Sequence, residues 1–319
     1  MKTSNLIALL STSLVTGGVN AQAYPSKPIR VIVPYVAGSG TDTVTRLVLE
    51  KVGASIGQPF IIENRAGGNG IIGAEAVARA APDGYTLLMG NSNIFGVNPG
   101  MYRSLPYDPV ADFTPVSLFG TVPFLFLVNA SLPVKTIPEL ITYASERPGL
   151  LNYGSGNTSA TVWMEALNNA GKIAIHKIDY KSGLPAMMAV LSGEVQITVA
   201  DYVIANPQIQ ASKLRALAVT GDKRSKLMPD LPTMGEVGLP KNELVAWTGL
   251  IAPVGTPLEI VRMLSDEVNK ALMQKEMYDR LATMGFESQE STPSDFATFL
   301  REQRLKWTQA IKEANIPPQ

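Results

Sequence analysis

The sequence predicts an α/β fold of two domains with largely parallel sheets, on three observations. The first is a strand that runs straight into a glycine-rich loop and then a helix, IRVIVPYVAGSGTDTVTRLV from Ile29 to Val48. The second is that this order repeats: apolar runs of strand length alternate with helical patterns across short loops, as right-handed βαβ crossovers require. The third is length. About 296 residues follow an N-terminal export segment, more than one compact core usually holds.

In the first unit, Ile29, Val31, Ile32 and Val33 suit a buried parallel strand. Gly38, Ser39, Gly40 and Thr41 then place amide N–H groups where a helix begins, with Asp42 in its first turn. A helix N-terminus carries partial positive charge and unpaired donors, so this loop can hold a carboxylate without Lys or Arg. One Gly-Ser-Gly loop alone is more often a plain connection; its recurrence downstream shifts the balance. Gly57 to Arg65 reads as a strand ending in a polar turn, and Ala66-Gly67-Gly68-Asn69-Gly70 opens a helix from Ile71 to about Ala80. Pro82-Asp83-Gly84 turns the chain into a third strand, Tyr85 to Met89, which runs into Gly90-Asn91-Ser92-Asn93. Ligands gather at the carboxyl ends of strands in such sheets, where the Gly38 and Asn91 loops both belong.

A second set begins at the apolar strand Phe124 to Asn129. Thr136-Ile137-Pro138-Glu139 has the form of a capping box, and the helix it opens is stopped by Pro148-Gly149. Leu151-Asn152-Tyr153 leads into Gly154-Ser155-Gly156-Asn157-Thr158-Ser159, again a Gly/Ser loop before a helix, this one carrying Trp163, Met164 and Leu167. A strand near Ile173 to Ile178 and a helix from about Leu184 to Leu191 follow. Gln196 to Val199 and Ala216 to Val219 are short strands flanking Asp201-Tyr202 and a further helix. In the tail, Thr256-Pro257-Leu258-Glu259 reads as a helix cap, Gly285 as a helix end, and Thr292-Pro293-Ser294-Asp295 as the start of the last helix. Phe296, Phe299, Leu300, Trp307 and Ile311 recur on it at helical spacing, a core stripe.

Residues 1–23 combine a charged start (Lys2), an apolar stretch from Leu6 to about Val19 and the small-x-small triplet Ala21-Gln22-Ala23, the pattern of a cleaved signal peptide with Tyr24 first in the mature chain. The stretch is too short and too interrupted for a stable anchor. A cysteine-free exported chain has no disulfide, lipid-anchored cysteine or thiolate chemistry, which fits the bacterial periplasm. With 27 basic and 27 acidic residues and no basic cluster, the chain lacks the electrostatic footprint of a nucleic-acid or anionic-membrane binder.

Catalytic signatures are thin. His176 is the only histidine, on a strand-like segment beside Lys177, and no GxSxG elbow accompanies it. A lone strand histidine is more often structural or surface than catalytic. No clustered His or carboxylate set has metal-ligand spacing. Gly67-Gly68-Asn69-Gly70 fails the spacing of a dinucleotide fingerprint, and no P-loop lysine is present. No cofactor is expected, and an enzyme is the weaker reading.

Several segments carry a resemblance in order and spacing: YPSKPIRVIVPYVAGSGTD, GQPFIIENRAGGNGIIGAEAVARAAPDGYTLLMG, YDPVADFTPVS, LNYGSGNTS, LRALAVTGDKRSKLMPDLPTMGEVGLP and WTGLIAPVGTP. From Tyr24 to about Ile316 the chain resembles the periplasmic solute-binding proteins of tripartite tricarboxylate transporters, the Bug or TctC family. The resemblance implies a two-domain venus-flytrap fold of the periplasmic binding-protein type (type II-like), each domain a mixed, mainly parallel sheet flanked by helices. Domain one would be residues 24–125 with 246–319, and domain two residues 126–245. The crossing strands would be Phe124 to Val128 and Trp247 to Ile251.

The family grips a carboxylate with backbone amides and hydroxyls of facing loops. Carried onto this sequence, the first loop supplies Tyr35, Ala37, Gly38, Ser39, Gly40, Thr41 and Asp42, and the second Asn91, Ser92 and Asn93. The opposing domain supplies Ser155, Gly156, Asn157, Thr158 and Ser159, with Asp201 and Tyr202 near the rim. The chain departs from the family in places. A hydroxyl enters at Gly38-Ser39-Gly40, where two glycines are usual. The usual His-Leu-Ala-Gly-Glu is Val162-Trp163-Met164-Glu165-Ala166, and the common Val-Pro-Tyr-Lys-Gly is Ile178-Asp179-Tyr180-Lys181-Ser182. Trp163 is then a core filler or a cleft wall. The leading expectation is a monomeric receptor that delivers a small di- or tricarboxylate, amino acid or aromatic acid to the transporter's membrane permease subunits. A periplasmic ligand sensor docking on a receptor or kinase is second, and an exported hydrolase or isomerase third.

Overall fold

The computed structural model describes residues 24–221, 223–239 and 244–319; the export segment expected over residues 1–23 lies outside them. The chain begins with β1 (Ile29–Val33), α1 (Gly40–Ile56), β2 (Phe60–Asn64), α2 (Ile71–Ala78), β3 (Thr86–Asn91), α3 (Asn98–Met101) and β4 (Phe113–Val122). It continues with β5 (Phe124–Asn129), α4 (Ile137–Ser145), β6 (Asn152–Ser155), α5 (Thr158–Gly171) and β7 (His176–Asp179). Next come α6 (Gly183–Ser192), β8 (Ile197–Asp201), α7 (Tyr202–Gln210) and β9 (Leu214–Val219). The last part holds β10 (Ala246–Pro253), α8 (Leu258–Leu272), α9 (Lys275–Thr283), β11 (Glu287–Ser288) and α10 (Pro293–Glu313).

Two mixed sheets result, with strand orders β11-β4-β10-β3-β1-β2 and β7-β6-β8-β5-β9. Each is the centre of one lobe. In the first, β1 pairs in parallel with β2 and β3, as the Ile29 and Tyr85 runs predict. In the second, β6 pairs in parallel with β7 and β8. Antiparallel pairing takes a larger share than the sequence implied, because β10 runs against β3 and β4, and β5 against β8 and β9. Both strands enter their sheet from the other lobe, so they arrive in the opposite direction.

Neither expected crossing strand spans both sheets. β5 lies wholly in the second sheet and β10 wholly in the first. The first crossing is Pro123, between β4 and β5, whose missing N–H cannot extend a ladder. Its carbonyl accepts from the Tyr202 N–H at 3.2 Å, and Phe124 exchanges hydrogen bonds with Thr220 (2.9 Å each way), where the chain leaves β9. The two connections between the sheets are thus tied side by side.

Local signals set the helix ends. Thr292 and Asp295 form a reciprocal capping box at α10. Thr136 caps the Glu139 N–H, while Glu139 reaches back to the N–H of Lys135, one residue earlier than a capping box needs. The Thr256 cap is not made: its hydroxyl donates to the Pro253 carbonyl at 2.8 Å, and α8 starts after Pro257 without a side-chain cap. The α10 stripe packs as its periodicity demands, with Phe296 and Trp307 fully buried. Trp163 is a core residue, its ring 5.1 Å from both Phe124 and Trp307, so it joins α5 of one lobe to α10 of the other. His176 is exposed on the edge strand β7.

Candidate functional site

Five loops leave the carboxyl ends of β1, β3, β6, β7 and β8 and meet in the cleft between the lobes, as the strand-end rule demands. About 540 Å3 there is free of protein atoms, part of it open to solvent. Four α-helices start at this cleft, α1 from the first lobe and α5, α6 and α7 from the second, and so does the helical turn Asn93–Val97 that runs into α3, its first N–H groups taken by Asn91. What occupies their N-terminal donors decides what the cleft can bind.

Two of the four are satisfied by the protein itself. At α5, Asn157 Oδ1 caps the Ala160 N–H at 2.9 Å. Asn93 of the first lobe then places its side-chain oxygen at the same helix end. It accepts from the Ser159 N–H (2.9 Å) and hydroxyl (2.8 Å), with the Thr158 hydroxyl 3.0 Å away. Thr158 also lies 2.8 Å from Asn98 Oδ1, so its one proton serves either amide. Asn93 Nδ2 donates to Tyr35 Oη at 3.1 Å, and Asn91 Oδ1 accepts from the Asn93 and Ile94 N–H groups. At α7, Asp201 Oδ1 accepts from the Ile204 N–H at 3.2 Å.

The other two helix ends keep donors for a guest. At α1, Ser39 Oγ caps the Asp42 N–H at 3.3 Å, and the first-turn N–H groups of Gly40 and Thr41 have no partner among the described residues. At α6, Ser182 occupies the cap position without making the cap. A serine there usually accepts from the second or third helical N–H. The third helical residue is Pro185, which has none. Ser182 is 0% exposed, and its hydroxyl finds no partner among the described residues.

The Asp42 carboxylate braces the first loop from behind. It accepts from the Gly38 N–H (2.9 Å), Arg46 Nε (2.9 Å) and Asn64 Nδ2 (2.8 Å), and Asn64 also donates to the Tyr35 carbonyl. Burial alone would raise its pKa, but these donors outweigh burial and hold the carboxyl below its ordinary range. Asp201 behaves in the opposite way: burial pushes it up to about 6 against the pull of its helix-end N–H groups. Its carboxylate lies against Gly40 across the cleft. Burial likewise pushes the Tyr35 hydroxyl up to about 12, so it stays protonated.

Around these polar groups the walls are apolar, chiefly Val44, Val122, Phe124, Leu184, Trp247 and Phe286. No Lys, Arg or His lines the cleft among the described residues. Nor do three His, Cys, Asp or Glu side chains cluster there as a metal site. The chemistry on offer is hydrogen-bond donation by helix ends in a cation-free surround whose one acidic side chain is Asp201, which suits an oxyanion held at the unpaired N–H groups.

Of the residues anticipated from sequence, Tyr35, Ser39, Gly40, Thr41, Asn91, Ser92, Asn93, Asn157 and Asp201 line the cleft. Ala37 and Gly38 are exposed outside it. Asp42 works as the brace, and Thr158 and Ser159 bind Asn93 rather than facing the cleft. Ser155 is turned inward, its hydroxyl 3.0 Å from the Asn157 carbonyl and 2.7 Å from Thr161 Oγ1. Gly156 is a packing glycine: a Cβ there would come within 2.5 Å of Gly183 Cα. Tyr202 is buried, its ring against Gly285 of the first lobe. Sequence reasoning missed Ser182, Gly183 and Leu184. A serine followed three residues later by proline, before an apolar helix, was the available sign of an unmade cap.

Comparison with known proteins agrees with this architecture. The model of the TctC family, the tripartite tricarboxylate transporter family receptor, matches residues 44–316. Protein BugT of Bordetella pertussis (strain Tohama I) is 32% identical over 98% of this chain and 98% of its own. The solved structure of R. palustris Rpa4515 with adipate has a TM-score of 0.89 at 34% identity, covering 93% of this chain and 100% of that one. That of the periplasmic binding protein BugD has a TM-score of 0.88 at 30% identity, over 93% and 100%. With two sheet-centred lobes, a cleft lined by helix ends and a family match over most of its length, this chain belongs to the TctC (Bug) family of periplasmic solute-binding receptors.

Proposed function

We propose that the chain is an exported receptor that closes its lobes, residues 24–125 with 246–319 and residues 126–245, on a small carboxylate. The cargo then passes, chemically unchanged, to the membrane permease subunits of a tripartite tricarboxylate transporter. The observation that carries this reading is that α1 and α6, from opposite lobes, aim unpaired N–H groups into one cleft without a cation. Each helix N-terminus carries about half a positive charge, so the pair favours a carboxylate, beside the Asp201 carboxyl whose pKa burial pushes up to about 6. Adipate bound to a relative of the same fold adds support. The signal-peptide pattern of residues 1–23, with periplasmic relatives, supports export to the periplasm.

In the open form, water satisfies the Gly40 and Thr41 N–H groups. A carboxylate displaces that water, and closure brings the α6 end and the walls onto it. The ligand shifts the population only by the contacts that it gains on closing. Hydrogen bonds to a charged acceptor contribute about 1.5–3 kcal/mol each, so a few, less ordering costs, reach micromolar affinity, about −8 kcal/mol. The test is a thermal-shift screen of C3–C8 mono- and dicarboxylates, amino acids and aromatic acids on the mature protein, followed by calorimetry. A ligand at 100 times its Kd stabilises the folded form by about 2.7 kcal/mol, a plain rise in Tm. No shift with any acid would refute the reading.

A further inference from the structure

The cleft holds one acidic side chain, Asp201, and among the described residues no cation lines it in answer. Asp201 stands at the carboxyl end of β8, where its Oδ1 caps the Ile204 N–H at 3.2 Å. Its carboxyl has no side-chain donor among the described residues. It faces the first lobe: a Cβ on Gly40 would stand 2.6 Å from its Cγ and 2.7 Å from Oδ2. Gly40 is also the residue whose N–H, with that of Thr41, is left for a cargo oxyanion. An anion held there lies beside a second carboxyl packed on the same residue. Like charges so placed, without a cation, favour the protonated form of one of them.

The neighbouring elements give Asp201 no charge to offset this. Tyr35, at the end of β1, and Tyr202, next to it on α7, are both kept neutral by burial. Asp42 and Arg46 of α1 pair with each other at 2.9 Å. Glu165 of α5 accepts from Tyr153 Oη of β6 at 2.7 Å. From α6, β5 and β10 only uncharged residues reach the cleft. Burial raises the carboxyl to about 6, against the pull of its own helix-end N–H groups. In the open form water covers the carboxylate and favours its charge. Closing removes that water as the cargo's charge arrives.

We propose that Asp201 is a proton site of the closed receptor: a carboxylate cargo enters with one proton, which solvent supplies to Oδ2 as the lobes shut. The inference rests on the receptor reading above and adds to it a coupling between cargo and protons. Oδ1 is engaged by the Ile204 N–H, so Oδ2 carries the O–H and turns from a competing acceptor into a donor. The field of the α1 end is then left to the cargo. When the lobes open, water returns and the proton leaves with the acid. Raising the pH therefore weakens binding, and lowering it strengthens binding until Asp201 is protonated in the free protein too.

Isothermal titration of the mature protein between pH 6.5 and 8.5 tests this, with adipate and with whichever C3–C8 acid raises Tm most. Wild-type Kd should rise about tenfold across that range, since each pH unit between the free and bound pKa is worth up to about tenfold. At pH 7.5, heats measured in phosphate and in Tris, buffers of unlike ionisation enthalpy, should report uptake of about half to one proton per acid bound. Asp201→Asn keeps a side-chain oxygen for the Ile204 N–H and imitates the protonated carboxyl. Its Kd should stay within about twofold over the range and lie several-fold below that of wild type at pH 8.5. Asp201→Ser, a second neutral cap, should lose the pH dependence as well, and ligand-free melting close to that of wild type should show that both fold. A wild-type Kd that ignores pH, with no proton uptake, overturns the inference and leaves the receptor reading intact. So does an Asp201→Asn variant that keeps the wild-type pH dependence. A folded wild type that binds no acid at all overturns both.

Discussion

Replacing Gly40 by alanine should separate closure from folding. Gly40 is the first residue of α1, and it faces Asp201 of the opposite lobe. A Cβ on Gly40 would lie 2.6 Å from Asp201 Cγ and 2.7 Å from Oδ2. Carbon contacts settle at about 3.5–4 Å, so the lobes must stay apart by about 1 Å. Asp201 cannot swing clear without releasing the Ile204 N–H that it caps. Overpacking of this kind costs about 1–3 kcal/mol, charged to the closed form alone. Affinity for the best acid should therefore fall about 5- to 150-fold by calorimetry. The lobes themselves gain a better helix former, so ligand-free Tm should hold or rise slightly. Shortening the opposing side chain with Asp201→Ser keeps a cap, and the double variant should regain affinity beyond the sum of the single effects. Wild-type affinity in Gly40→Ala would refute the closed geometry, as would a large loss of ligand-free stability.

Asp42→Ala removes the brace behind the first loop. Arg46 is half exposed and counts for little, while the Gly38 N–H and Asn64 lose a charged acceptor. We expect a loss of about 3 kcal/mol, a fall of about 6–12 °C in Tm by circular dichroism. Because the folded pKa of Asp42 is lowered, its stabilisation is present above the ordinary carboxylate range and disappears as pH falls through the folded value. Asp201 has the opposite sign. With its pKa raised from 3.8 to about 6, the folded state holds a proton that the unfolded chain has released. Its contribution to stability grows as pH falls from 7 towards 4, by up to about 3 kcal/mol. Urea titrations across that range should show this slope in wild type and lose it in Asp201→Asn. Gly156→Ala pushes a Cβ into the Gly183 backbone within the second lobe, so it should destabilise folding by about 2–3 kcal/mol in urea, unlike Gly40→Ala.

Most elements were legible in the residues. The Ile29 run, the Gly38–Asp42 turn, the FLFLVN strand and the α10 stripe carry periodicities and turn chemistry that act over a few residues, so they survive without tertiary context. The strand-end rule likewise located the Gly38 and Asn91 loops at one cleft, and the family resemblance added Asp201. Strand β4 lacked a clean alternation, and the Tyr180–Gly183 loop lacked a glycine run, so neither was read as a strand or a site, although segments of both entered the family resemblance.

The sequence by itself determined the order of strands and helices and the strand ends at which donors cluster, because helix, strand and turn preferences are local. Only the tertiary structure decided which donors remain for a ligand. Asn93 crosses the cleft to residues 65 and 66 positions away and takes over the end of α5, while Asp201 folds against Gly40. A hydrogen bond is spent on whichever acceptor the fold brings within about 3 Å, and that choice is made between lobes rather than along the chain.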